Sequence, residues 1–170
     1  MEKNSSMRKI PIDLEELVDQ ANWTDEMELG PLRVFDLETG KIVWVERELA
    51  NALDSEEDLS VYGDPEEIEL ARRVMTEDRF VSLPERLPDE NFQIMKNFVR
   101  HHTSGDISKT LEDALKKRRP FRSFKDALYD FPEVQNHYFK FEAECHRQWI
   151  VDWLHSLQIE PIDTGHESPG

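Results

Sequence analysis

The chain lacks several features that define large classes of protein. Its only cysteine, Cys145, excludes an intramolecular disulfide and therefore a secreted disulfide framework. No apolar run is long enough to span a bilayer, and the first residues contain no apolar stretch of signal-peptide length. We therefore expect a cytoplasmic protein in a reducing compartment, with no membrane partner.

Glycine is also scarce, with six residues in 170. The glycine-rich loops that bind nucleotide phosphates, GxxxxGKS/T and GxGxxG, are absent, as is the GxSxG turn of serine hydrolases. An HExxH motif and paired cysteines, which supply zinc ligands, are absent too. We predict no catalytic residue, no cofactor and no metal site. A small hydrolase or metal enzyme is therefore the least favoured of the three functional hypotheses considered below.

The histidines do not form a metal site by their spacing. His137, His146 and His155 are nine residues apart, so on one helix the middle residue points away from the other two. Glu142 and His146, four residues apart, could supply two ligands and His101 and His102 others, whereas a zinc site needs three or four correctly placed ligands. Cys145 falls on the aromatic stripe of the same segment, which predicts a buried structural thiol.

Positive charge is the scarcer sign. The chain has 21 Lys and Arg against 37 Asp and Glu, a net charge of -16. Residues 1–70 alone hold 20 acidic and 6 basic residues, a net charge of -14. Such a surface favours solubility and repels nucleic acid, and it would also attract a basic partner.

One segment reverses this charge. Between residues 116 and 125 there are six basic residues and no acid, and an aromatic residue follows on the outward side of the predicted helix. We call these residues the basic strip: Lys116, Lys117, Arg118, Arg119, Arg122, Lys125 and Tyr129. A helix C-terminus stabilises cations, so the strip has a structural explanation. Clustered cations with an exposed aromatic are also what phosphate contact and base stacking require, although a pI of 4.7 opposes that interpretation.

A β-hairpin is the clearest strand signal. Runs of β-branched and aromatic residues flank Gly40, and residues 79–83 predict a third short strand. The residues expected on the buried face of the hairpin are Phe35, Leu37, Ile42 and Trp44. The carboxylates are too numerous to single out an acid–base pair, and none is marked by an apolar surrounding. Asp36 is the least implausible of them, but alternation places it on the outward face.

Helical signals dominate the rest of the chain. Asp13 and Asp64 are expected to cap two helices in the N-terminal half, and the pattern is helical from Pro88 to about residue 157. The predicted fold class is α+β: a predominantly helical single domain with a small antiparallel sheet, made of the hairpin 33–45 and the strand 79–83.

The predicted domain organisation is simple. Residues 1–9 and 161–170 are expected to be disordered, and residues 10–160 to form one domain. The composition changes near residue 85, which divides that domain into an α/β lobe of about 10–85 and a helical lobe of about 86–158.

Two sequence blocks, taken together, resemble a known family. The hairpin FDLETGKIVWV and the block PFRSFKDALYDFPEVQNHYFKFEAECHRQWIVDWL are similar to a bacterial uncharacterised protein family of the "UPF" type. The segment Phe121-Arg122-Ser123-Phe124-Lys125-Asp126 is the specific part of this similarity. The resemblance implies a bacterial cytoplasmic single domain, and it implies no reaction, because the family has no assigned activity.

The sequence therefore favours a non-enzymatic protein-interaction or regulatory module. Its contact face would be the basic strip, with the acidic N-terminal half as a second surface. The alternative is an RNA- or DNA-associated protein that uses the same strip on phosphate. The sequence specifies neither the partner nor the oligomeric state.

Overall fold

The computed structural model describes residues 6–23 and 29–165. The described residues form seven α-helices: α1 (Leu14–Asn22), α2 (Arg47–Ala52), α3 (Pro65–Thr76), α4 (Pro88–His102), α5 (Gly105–Leu115), α6 (Pro120–Tyr129) and α7 (Pro132–Ser156). They also form five strands: β1 (Arg8–Ile12), β2 (Leu32–Asp36), β3 (Ile42–Val45), β4 (Phe80–Ser82) and β5 (Ile159–Asp163). The α+β, mainly helical class is therefore confirmed.

The chain divides into two compact units. One comprises residues 1–85 and 150–170, and the other residues 86–149. The predicted composition change near residue 85 lies at the same point, while the second division falls inside α7. That the whole chain acts as one domain stays a prediction.

Residues 1–5 and 166–170 of the predicted disordered ends lie outside the described residues. Within the described part of the chain, no helix has the length and apolar composition to cross a membrane.

Helices α1 and α3 begin where their capping aspartates predict. The side chain of Asp13 accepts a hydrogen bond from the Glu16 amide at 3.1 Å. At α3 the side chain of Asp64 accepts from the Glu67 amide at 2.8 Å, while Glu67 accepts from the Asp64 amide at 2.9 Å. Pro65 occupies the first turn of α3, where a missing N–H costs nothing.

The antiparallel sheet has the strand order β3-β2-β4 and confirms the predicted hairpin and third strand. On one face, Leu32, Val34 and Val43 pack against buried residues of α2 and α3. On the other, Phe35 is fully buried and its ring lies edge-on to Trp153, with centroids 5.4 Å apart.

Trp44, expected on the buried face of the hairpin, is instead 46% exposed. It sits on the edge strand β3, where alternation does not guarantee cover.

A parallel pair, β1 with β5, was not predicted. Ile10 lies opposite Pro161, and Pro11 opposite Ile162. A proline within a short run argues against a strand in sequence-based reasoning, because proline cannot donate to a ladder. In a two-stranded pair each strand has an open edge, so the missing N–H groups are tolerated.

The helical unit has its own core. Phe98, Phe124, Leu128 and Tyr138 are fully or almost fully buried, together with Leu111. The Tyr138 ring lies 5.1 Å from that of Phe98 and 5.0 Å from that of Phe124, both edge-on, a geometry that aromatic pairs favour. Because α5 and α6 turn their buried residues toward this core, the opposite sides of both helices lie outside it.

A buried ion pair fixes the hairpin turn to β4. Asp36 is 3% exposed, and its two carboxylate oxygens accept from Arg79 Nε at 3.0 Å and from Arg79 Nη2 at 2.6 Å. The same carboxylate accepts from the Glu38 amide at 3.0 Å and from the Thr39 hydroxyl at 2.9 Å. In addition, the Leu37 amide donates to the Arg79 carbonyl at 2.8 Å. The turn is thus held by its own residues and by one distant arginine.

Gly40 lets this turn approach β1. Its φ is +73°, which disfavours any residue with a Cβ. A Cβ at this position would lie 2.7 Å from Ile10 Cγ2, 2.8 Å from the Pro11 carbonyl oxygen and 2.9 Å from Ile12 Cγ1. The turn therefore requires glycine for its backbone conformation and for space.

The two constraints on Gly40 can be separated with a matched control. Gly40→Ala adds backbone strain and a clash with β1, so we expect it to lower the free energy of unfolding by about 3 kcal/mol. Gly105→Ala adds backbone strain alone, since φ there is +64° and nothing lies within 4 Å of the added carbon, and should cost about 1 kcal/mol. Urea unfolding of both variants measures the difference. Equal losses of unfolding free energy in the two variants would mean that β1 moves to accommodate the extra methyl group.

The Asp36 pair makes the fold sensitive to acid. Burial alone would raise the pKa of Asp36, but hydrogen bonds from Arg79, the Glu38 amide and Thr39 outweigh it and lower the pKa from 3.8 to about 2. As the pH falls, the unfolded chain binds this proton first. The ionised carboxylate therefore stabilises the fold by about 2 kcal/mol above pH 4, and this contribution is lost between about pH 4 and pH 2.

Asp36→Asn should remove that contribution. We expect urea unfolding at pH 7 to give a free energy about 2 kcal/mol lower than wild type, with a smaller further loss between pH 4 and pH 2. Glu38→Gln is the matched control, because Glu38 also contacts Arg79, at 2.8 Å, through a side chain that is 59% exposed. An Asp36→Asn protein with the acid sensitivity of wild type would contradict this role.

Candidate functional site

All members of the basic strip are exposed. Lys116 is the C-cap residue of α5, and the next three cations form the turn that leads into α6. On α6, Phe124 and Leu128 are completely buried, whereas Arg122, Lys125 and Tyr129 are exposed. The side chain of Tyr129 is an extreme case, with 77% of its surface exposed.

Few of these charges are used within the protein. Arg122 lies 3.9 Å from Asp126, with both side chains about three-quarters exposed, so the pair contributes little to stability. Within the part of the chain that the structure describes, the other strip side chains form no hydrogen bond or ion pair. Lys116 has a structural explanation in the dipole of α5, whose last turn has no other base. Whether the strip binds a partner stays a prediction.

Asp36 is not the outward carboxylate that alternation in the hairpin suggested, so that placement was wrong. The turn rotates its side chain into the protein, where Arg79 neutralises it. A carboxylate with a pKa of about 2 stays ionised at neutral pH and cannot donate a proton. Sequence reasoning missed the role of Arg79, although Arg79 is the first residue of the predicted strand 79–83 and lies just before β4.

A polar cluster on α7 is the other concentration of reactive groups. The Tyr138 hydroxyl donates to Glu142 Oε2 at 2.7 Å. The guanidinium of Arg86 lies 4.3 Å from the ring centroid of Trp149, and its Nη1 donates to Asn91 Oδ1 at 3.2 Å. Burial raises the pKa of Tyr138 far above its usual range, and the bond to Glu142 raises it further. Tyr138 is therefore a fixed donor.

Burial sets the protonation states of the cysteine and the histidine in this cluster. Partial burial raises the pKa of Cys145, and the nearby charge of Arg86 offsets this only in part, so the thiol stays protonated. Burial lowers the pKa of His146, Arg86 lowers it further and Glu142 partly opposes both. His146 is therefore neutral at pH 7. Both side chains are half-buried and belong to the polar cluster along α7.

Three more histidines contact neighbouring side chains and form no common site. His102 and His137 are 5.1 Å apart between ring centroids, and both contact the ring of Phe98. His155 Nε2 lies 2.8 Å from Glu160 Oε2. Across residues 6–23 and 29–165, no three His, Cys, Asp or Glu side chains lie close enough together to hold a metal ion.

Comparisons with known proteins agree with the resemblance inferred from the hairpin and the C-terminal block. A relative from Pseudomonas aeruginosa, UPF0158 protein PA5073, is 28% identical over 155 residues, which cover 91% of this chain and 88% of the relative. No solved structure matches the chain. The model of the Uncharacterised protein family (UPF0158) matches residues 7–167. Because this match covers nearly the whole sequence, the chain belongs to that bacterial uncharacterised family.

Proposed function

We propose that the protein is a non-enzymatic interaction or regulatory module that binds a protein partner through the basic strip. The observation that carries this proposal is the exposure of all seven strip side chains, with one weak ion pair among them. Cations that stabilise a fold are usually paired or packed, whereas these project from the turn between α5 and α6 and from the outer side of α6. The partner would present carboxylates to them.

A protein partner fits the charge better than nucleic acid. A net charge of -16 repels a phosphate backbone at distances up to the Debye length, while the strip supplies only six positive charges. The exposed ring of Tyr129 suits a protein interface, where tyrosine is enriched, as well as it suits base stacking. The acidic N-terminal half would offer a second surface, to a basic partner.

The proposal is tested by charge reversal. Wild type and Arg118→Glu/Arg119→Glu/Arg122→Glu would be used to capture partners from a native extract, with and without nuclease. The matched control is Arg100→Glu/Lys109→Glu/Lys140→Glu, which changes the net charge equally at exposed positions of the same unit. A captured protein would then be identified, purified and measured for direct binding.

Three outcomes decide the matter. We expect a protein that survives nuclease and binds the strip variant at least about tenfold more weakly, with the control unchanged. Captured RNA or DNA that the strip variant loses would establish the nucleic-acid alternative instead. Equal binding of the same partners by all three proteins would show that the strip is structural.

A further inference from the structure

A polar groove runs between α5 and α6, beside the basic strip. Its volume is about 420 Å³, and all of its walls belong to the helical unit. The groove is lined by Thr110, Asp113, Ala114, Lys117, Ser123, Asp126, Ala127 and Asp130.

The groove follows from the same spacing in both helices. Each contributes a hydroxyl residue, an aspartate three positions later and an alanine at the fourth, and a charged residue follows at the seventh position, just beyond the end of the helix. Residues at this spacing share one side of a helix. The alanines, Ala114 and Ala127, are more buried than the charged residues and form the floor, so their small side chains leave room above them.

The groove carries the opposite charge to the strip. Three exposed carboxylates line it against one lysine, whereas the strip has six cations. The boundary between the two lies on α6, where Arg122 faces outward and Asp126 lines the groove, 3.9 Å away. One helix thus presents a cationic, aromatic ridge next to an anionic groove.

We infer that the strip and the groove form a single docking surface for a polypeptide segment that carries both signs of charge. Acidic side chains of that segment contact the strip, and an arginine or lysine enters the groove beside Asp113, Asp126 and Asp130. The inference rests on the proposed function and specifies its partner by charge complementarity. A nucleic acid fits less well, since a phosphate chain along α6 would meet the groove carboxylates.

Arginine is the better fit of the two cations. Its planar guanidinium has five donors and can bond two acceptors side by side, and the groove offers carboxylate oxygens as well as the Ser123 hydroxyl. The Thr110 hydroxyl already donates to the Asp106 carbonyl at 2.9 Å, so it can only accept. Lys117 at the rim would repel the entering cation and contact the acidic part of the segment.

Two blocked synthetic peptides test the surface on the full chain. One carries Glu and Arg four residues apart along one helical side, and its twin has Gln in place of every Arg. Binding would be followed by NMR, with the methyl groups of Ala114 and Ala127 reporting on the groove and the amide of Tyr129 on the strip. We expect the Arg peptide to bind about tenfold more tightly than its twin and to shift both sets of signals, whereas the twin shifts the strip signal alone.

Variants separate the two parts of the surface. Asp126→Asn/Asp130→Asn should abolish the preference for Arg, while Asp106→Asn/Glu112→Gln, which removes two exposed carboxylates of α5 outside the groove, should leave it intact. Equal binding of both peptides to wild type, or no shift of the alanine methyls, overturns the groove without touching the strip. If the Tyr129 amide never shifts, or Arg118→Glu/Arg119→Glu/Arg122→Glu binds both peptides as wild type does, the proposed function itself fails.

Discussion

The buried carboxylate of Asp36 constrains the sheet unit because it cannot be left without its partner. It receives four hydrogen bonds, two of them from Arg79, a residue that is distant in sequence and adjacent to β4. Those bonds join the hairpin turn to the third strand and fix the conformation that brings Gly40 against β1. Removing either charge would leave the other partly desolvated, so the pair holds the hairpin turn against β4.

The contacts within the hairpin turn explain the roles of the residues on which the family resemblance of the hairpin rests. In the letters DLETG, Asp36 forms the buried ion pair, Glu38 contacts Arg79 from outside, Thr39 donates to Asp36 and Gly40 adopts a left-handed conformation. Asp36, Thr39 and Gly40 build the turn, while Glu38 contacts Arg79 from the surface. The most recognisable stretch of the N-terminal half is therefore a signature of the fold, and function has to be sought elsewhere.

The helical unit leaves a different surface available. Its core uses the inward sides of α5 and α6 and the aromatic residues around Phe98 and Tyr138. On α7, burial keeps the Cys145 thiol protonated and His146 neutral. By contrast, the outer side of α6 and its groove side have exposed, oppositely charged residues that the core does not use, and the proposed function rests on them.

The sequence by itself determined the fold class, the hairpin with its third strand, the capped helix starts and the bacterial family, because each depends on local periodicity or on a few adjacent residues. It also predicted that Tyr129 lies on the outward side of its helix. Only the tertiary structure decided that Asp36 is buried, that Trp44 is exposed and that β1 pairs with β5. Those outcomes depend on Arg79, on the position of an edge strand and on a pairing between the two ends of the chain, and such long-range contacts leave no local pattern to read.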